Sequence, residues 1–280
     1  IGPTGYTARE LIKLLARHPS AEVTYLASHR EELPHIAEEF PQLLGLCDLI
    51  CRPIDAKAIA KEADVAFCCL PHVSAMSYVP KLLDAGLKVI DLSADYRLSD
   101  AELYKRVYEH EHADRANLAR AVYGLPELNA AAIAKADLVA NPGCYPTSAA
   151  LAIGPLLAKG LVQPGGIVIN AVSGATGAGR SAKPHLHFPE INEAFFPYNV
   201  GVHRHEPEIE QTLSGLAGEP VDVLFAPHLL PINQGILETI YCDPAGEVCE
   251  DDVYAALEDA YADEPFVRVR MSFPNIAHVV

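Results

Sequence analysis

"IGPTGYTARELIKLLARHP", residues 1–19, passes from one apolar residue through a glycine turn into a helical pattern, and that order decides how the chain is read. Leu11, Ile12, Leu14 and Leu15 form an apolar side, and His18-Pro19 ends the run. The turn Gly2-Pro3-Thr4-Gly5-Tyr6-Thr7-Ala8 has small residues three apart between a strand end and a helix start. A dinucleotide pyrophosphate sits at such a place, on the free N–H groups of a helix N-terminus. The fingerprint is shortened, without its middle glycine, and by itself it equally describes a turn that merely needs glycine. Ile1 reads as the last residue of a strand whose body lies outside this sequence.

The pattern continues outward. "AEVTYLASHR" (21–30) is rich in β formers, and "ADVAFCCLPH" (63–72) is a continuous apolar run, as in a strand buried on both faces. A helical stretch over 73–85 stops at Gly86, and "LKVIDLSADYR" (87–97) and "ADLVANPG" (136–143) supply further strands. Strands alternating with helices predict an α/β, Rossmann-like, doubly wound parallel sheet. Beyond about residue 145 the rhythm changes. "GGIVINAVSGATGAGR" (165–180), "VDVLFAPHLLP" (221–231), "GILETIYCD" (235–243) and "FVRVRMSF" (266–273) read as strands. "EPEIEQTLSGLAG" (206–218) and "CEDDVYAALEDAYAD" (249–263) read as helices between them. Two domains are expected: residues 1–143 for the nucleotide, and 144–280 as an α+β catalytic, substrate and dimerisation domain with a mixed or antiparallel sheet.

The 280 residues are half apolar and carry a formal charge of -16. No Lys/Arg block or basic helix face offers a field for a phosphate backbone, which argues against a nucleic-acid partner. No apolar run approaches the roughly 18–20 residues of a membrane span, and no basic flank leads into an apolar signal core. A cytoplasmic protein is the expectation. The 7 cysteines are an odd count without the spacing of a disulfide scaffold.

Cys144 follows the turn Asn141-Pro142-Gly143 and precedes "YPTSAALAIGPLLAKG", a helical run closing at Gly160. A thiol in the first turn of a helix feels the positive end of the dipole, which lowers a cysteine pKa from about 8.5 toward roughly 3.5–7.5. Cys144 is therefore a candidate nucleophile. "GVHRHEPEIEQ" offers His203 and His205 as proton partners around Arg204, with Glu208 able either to orient a histidine or to complement a helix dipole. "SGATGAGR" brings three glycines to Arg180, with Lys183 close behind, a loop suited to a carboxylate or phosphate. Where an NAD site would carry an acidic residue, Ser28-His29-Arg30 stands instead, which favours a 2′-phosphate and NADP. The pairs His185/His187 and His203/His205 lack partners at zinc spacing, so no metal is expected.

Taken together, "GPTGYTARELIKLLARHP", "LPHVSA", "VIDLSADYRL", "AVYGLPELN", "VANPGCYPTSA", "SGATGAGR", "HRHEPEIEQ", "FAPHLLP" and "GILETIY" resemble the N-acetyl-γ-glutamyl-phosphate reductase family, within the aspartate-semialdehyde dehydrogenase-like group. The resemblance implies NADPH-dependent reduction of a small acyl phosphate to an aldehyde through a cysteine thioester, in arginine biosynthesis. It implies Cys144 as nucleophile and His203 as acid/base, with His205 as the other choice and Glu208 beside them. It implies Arg180, Arg204 and Ser173 at the substrate, and Gly2, Thr4, Gly5, Tyr6, Thr7, Ser28, Arg30 and Ser93 at NADP. A homo-oligomer, dimer or tetramer, is implied too. Ala8 stands where members often have glycine, "LPHVSA" lacks a glycine after its histidine, and "SGATGAGR" has Ala-Thr where Val-Ser is common. The family also implies a first strand before Ile1 and a C-terminal helix returning to the cofactor domain. Three alternatives stand beside this reading: a reductase of carrier-linked aminoadipyl phosphate, a cofactor-free cysteine hydrolase or acyltransferase, and a non-catalytic NADP-binding protein.

Overall fold

A computed structural model describes residues 1–278, divided into two compact units, Ile1–Pro142 and the residues from Gly143 onward. In the first unit β1 (Ala27–Ser28) pairs in parallel with β2 (Arg52–Pro53). A second, all-parallel sheet contains β3 (Val65–Cys68), β4 (Lys88–Asp91), β5 (Val122–Tyr123) and β6 (Leu138–Ala140) in the order β3-β4-β6-β5. Ile1 and Gly2 join the two sheets. The Ile1 amino group donates to the Phe67 carbonyl at 2.6 Å and Cys69 N–H donates to the Ile1 carbonyl at 2.8 Å, while Gly2 N–H donates to the Ala27 carbonyl at 2.9 Å. The long strand read over 21–30 is confined to Ala27–Ser28, because Val23 to Leu26 face a cavity of about 600 Å³ rather than a neighbouring strand.

The helix read over 73–85 is also shorter. A single 3-10 turn, Ala75–Ser77, precedes a helix at Val79–Asp84, and Val73 sits at φ 72°. The cause is Asp95, fully buried in the loop after β4. Its carboxylate accepts from Val73 N–H (2.6 Å), Ala75 N–H (2.9 Å), Met76 N–H (3.3 Å) and the Tyr104 hydroxyl (2.8 Å), so these donors are turned toward it. Arg97, also buried, donates to the carbonyls of Leu92 (2.9 Å) and Asn141 (2.7 Å), tying the ends of β4 and β6 together. The loops at the carboxyl ends of the parallel strands, where open α/β sheets bind ligands, are therefore held by buried polar groups.

The second unit is built on a mixed sheet of β7 (Ile167–Ser173), β8 (Phe196–Pro197), β9 (Val223–Leu229) and β10 (Ile236–Tyr241), in the order β10-β7-β9-β8. Only β7 and β9 run parallel. Alternation places Ile167, Ile169, Ala171, Val223, Phe225 and Ile240 on the face that packs against helices Cys144–Ala158 and Glu206–Ala217. The opposite face presents Val168, Val172, Leu224, Ala226, Leu237 and Tyr241 in register. Helix Glu250–Tyr261 completes the layer, and Gly160 (φ 64°) and Gly218 (φ 74°) end the two helices before them in the left-handed conformation that glycine takes without strain. The strand read over 266–273 does not form. Val267 and Val269 are half-buried between exposed Arg268 and Arg270, but no strand edge pairs with them.

Asp95→Ala strips the buried N–H groups of Ala75 and Met76 of their acceptor. Urea denaturation is expected to show a loss of roughly 2–4 kcal/mol, given that an unsatisfied buried donor costs about 1–3 kcal/mol.

Candidate active site

Gly143 has extended backbone (φ -65°, ψ 157°) and serves as N-cap of the 15-residue helix Cys144–Ala158, so Cys144 is its first residue and is exposed. No side chain caps this helix, which leaves first-turn N–H groups directed at whatever lies before the thiol. Gly143 is locked from both sides. Its buried N–H donates to Glu208 Oε1 at 2.8 Å, and its carbonyl accepts from Thr147 N–H (3.0 Å) and Oγ1 (2.9 Å). A Cβ at this position would lie 2.8 Å from His205 Nε2 and 2.9 Å from Cε1, so the His205 ring rests against the residue preceding the thiol. Only glycine admits that approach. Glu208, 1% exposed in the first turn of helix Glu206–Ala217, thus holds the turn that presents Cys144 while lying at the positive end of its own helix.

His203 is placed differently. Its Nδ1 accepts from His205 N–H at 3.0 Å, which leaves the neutral ring's proton on Nε2. The rings of Tyr145, Tyr198 and Phe225 surround it at 5.8, 5.6 and 5.2 Å. Burial, with the adjacent Arg204, pushes its pKa down to about 4, which favours the neutral ring as a hydrogen-bond donor through Nε2. Of the two histidines, His205 is the one whose ring rests against Gly143, while His203 is enclosed by three aromatic rings.

Tyr145 and Tyr198, which the sequence pattern did not mark, share a hydroxyl–hydroxyl bond of 2.9 Å, and the buried Ser173 hydroxyl lies beside Tyr145. Tyr145 follows the cysteine directly, and that adjacency was the one available signal. Arg204 is exposed between the histidines, and Arg180 is exposed just after Gly179, itself at φ 81°.

In the first unit, Gly5 caps helix Tyr6–Leu15 without any side-chain bond, and a Cβ there would meet nothing within 4 Å, so open space lies over the helix N-terminus. At Gly2 (φ 77°), a Cβ would come within 2.5 Å of the Cys69 carbonyl, so only glycine fits. This turn suits a pyrophosphate, with Thr4, Tyr6 and Thr7 around it. Ser28 is buried and its hydroxyl accepts from Arg30 N–H at 3.2 Å, while Arg30 Nη1 pairs with Glu39 at 2.9 Å on the surface. Ser93, read as a cofactor residue, is 1% exposed. Its hydroxyl donates to Asp91 (2.7 Å) and accepts from Asp95 N–H (3.1 Å), which shapes the loop after β4. Among the described residues, no group of three or more His, Cys, Asp or Glu side chains is arranged to hold a metal ion, and no helix is long and apolar enough to cross a membrane.

The fold is that of a two-domain enzyme with a nucleotide-binding unit, and comparison with known proteins agrees. Residues 1–136 match the family model "Semialdehyde dehydrogenase, NAD binding domain", and residues 144–280 match "Semialdehyde dehydrogenase, dimerisation domain". The chain belongs to the semialdehyde dehydrogenase family. Within it, the chain is 49% identical over 269 residues to the N-acetyl-gamma-glutamyl-phosphate reductase of Desulforudis audaxviator, covering 96% of this chain and 78% of that protein. It is 47% identical over 282 residues to the enzyme of the same name from Citrifermentans bemidjiense, covering 100% of this chain and 81% of that one. Aspartate semialdehyde dehydrogenase II from Vibrio cholerae superposes with a TM-score of 0.69 at 15% identity, covering 98% of this chain and 81% of that chain, which shows a shared fold.

Because His203 falls from 6.5 to about 4 on folding, the unfolded chain binds more protons between those values. Stability should therefore decline as pH drops through that window and recover as pH rises. Urea titrations from about pH 7 down to about pH 4 should show this slope, reduced in His203→Gln.

Proposed function

We propose that the protein reduces N-acetyl-glutamyl 5-phosphate to N-acetyl-glutamate 5-semialdehyde with NADPH, releasing inorganic phosphate, as a cytoplasmic step of arginine biosynthesis. The observation that carries this reading is the Gly143 turn, which presents an exposed thiol at a helix N-terminus with His205 packed against it. The names of the relatives, at 45–49% identity, support the substrate, and the match of the first unit to an NAD binding domain argues against a cofactor-free cysteine hydrolase.

NADPH, when bound, supplies the hydride that reduces the thioester. On the protein's side, Gly2, Thr4, Gly5, Tyr6 and Thr7 offer backbone and hydroxyl donors to the pyrophosphate, and Ser28 with Arg30 receives the 2′-phosphate after Arg30 gives up part of its pairing with Glu39. His205 takes the Cys144 proton. The thiolate attacks the acyl carbonyl, the bond to phosphate breaks, and the His205 proton leaves with the phosphate, giving the thioester. Reduction places negative charge on the former carbonyl oxygen. His203, neutral with its proton on Nε2, suits a donor role toward that oxyanion, together with first-turn N–H groups. Collapse then breaks the C–S bond, frees the aldehyde and restores the thiolate. Arg180, Arg204 and Ser173 would receive the substrate's anionic and polar groups, a local attraction in a protein of net charge -16.

A homo-oligomer follows from the second unit. The outward sheet face carries exposed Leu224 (49%) and Tyr241 (57%) with Val168, Val172 and Leu237, interspersed with Asn170, Thr239 and His228, in a domain whose family model is described as a dimerisation domain. A second copy covering it gives a dimer, from which a tetramer can be built.

Cys144→Ser should abolish phosphate-dependent reduction of NADP by N-acetyl-glutamate semialdehyde, leaving NADPH affinity within about twofold, because the thiol is a covalent participant and not a cofactor ligand. Near-normal turnover in that variant would sink the covalent mechanism. Leu224→Glu should convert the oligomer to monomer in light scattering, since an unpaired charge cannot be buried cheaply at an apolar interface.

A further inference from the structure

We infer that Glu238 is a positioning residue for Cys144: a neutral carboxylic acid under the cysteine helix whose charge state is coupled to that of the thiol. The inference rests on Cys144 being the nucleophile.

Glu238 lies in β10 between Ile236 and Ile240, both packed into the core, and is paired across the ladder with Ala171 of β7. Its side chain therefore points inward, toward helix Cys144–Ala158, with which β10 is in contact. Both carboxyl oxygens are buried and neither has a hydrogen-bond partner. An ionised carboxylate in such a place would be heavily penalised, whereas a protonated one is tolerated. The polar side chain facing it from the helix is Ser148, whose hydroxyl also reaches the carbonyls of Cys144 (3.2 Å) and Tyr145 (3.1 Å). From β7 it meets only the Ala171 methyl side. Burial is what raises its pKa, to about 8, with Ser148 opposing, and no charged side chain enters.

Ser148 is four residues after Cys144, so both lie on one stripe of the helix, one turn apart. The mechanism needs negative charge to appear at Cys144 and to vanish when the thioester forms. A second negative charge one turn away would oppose the thiolate, and by reciprocity the thiolate opposes ionisation of Glu238. Two unit charges roughly 6–12 Å apart, in an effective dielectric of about 20, are coupled by roughly one to two pK units, a ten- to hundredfold change in proton affinity. Glu238 thus keeps the ground beneath the thiolate uncharged at neutral pH and withdraws that support as pH rises.

The test is infrared difference spectroscopy of the full chain against Glu238→Gln, following the C=O band of a protonated carboxylic acid through a pH titration, before and after Cys144 is capped with iodoacetamide. The band should be present at neutral pH, bleach in the alkaline range, and bleach at a pH lower by roughly one unit once the thiol is a neutral thioether. Absence of the band at neutral pH, or the same midpoint with and without the cap, overturns the proposal. Glu238→Gln should also lose the alkaline fall in kcat attributable to this group, read as the shape of the profile and not its level. An unchanged alkaline limb overturns the coupling even if Cys144 proves to be the nucleophile, and an active Cys144→Ser variant defeats the underlying reading separately.

Discussion

The bond from Gly143 N–H to Glu208 is the constraint on which the catalytic unit depends. It joins the start of one helix to the first turn of another, and both helix ends are positive, so one carboxylate serves two dipoles and an otherwise orphaned buried donor. Its effect is geometric. Gly143 is held in an extended conformation, the chain turns sharply, and Cys144 emerges at the surface instead of sinking into the core like Cys68, whose thiol burial drives up to about 12. The same clamp brings His205 against Gly143, so the distance between thiol and imidazole is set by a position that admits no side chain.

The two histidines show how one short segment produces two kinds of group. His203 looks inward to Tyr145, Tyr198 and Phe225, accepts a backbone bond, and is kept neutral. His205 sits at the cap of the next helix, against the thiol turn. Residues two apart in an extended chain share a face, which is why sequence reasoning could not separate them; in the folded chain the two rings meet edge to face at 4.9 Å, and only that of His205 rests against Gly143. The site as a whole is sparing with charge. Buried acids such as Asp91, raised to about 7 by desolvation, sit where ionisation is resisted, and the cations lie on exposed loops.

Much of this was legible in the chain itself. The glycine turn before Tyr6, the apolar runs that became β3, β4 and β6, the cysteine behind Pro142-Gly143 and the helix closed at Gly160 all carry local signals, because each depends on nearest-neighbour conformation or on a simple period. The misreadings share one cause. Residues 21–30 and 266–273 have the composition of strands, but a strand exists only where another strand lies alongside, and that is decided elsewhere in the chain.

The sequence by itself determined the class of fold and the place of an exposed cysteine at the start of a helix, since these follow from periodicity, composition and a turn readable in a few adjacent residues. Only the tertiary structure decided which histidine rests against Gly143, that Glu208 reaches across 65 positions to hold the Gly143 N–H, and that the Glu238 carboxyl is buried beneath the cysteine helix. Those facts depend on the packing of helix against helix and helix against sheet. Contacts of that kind leave no trace in local spacing, because the residues that make them are neighbours only after the chain has folded.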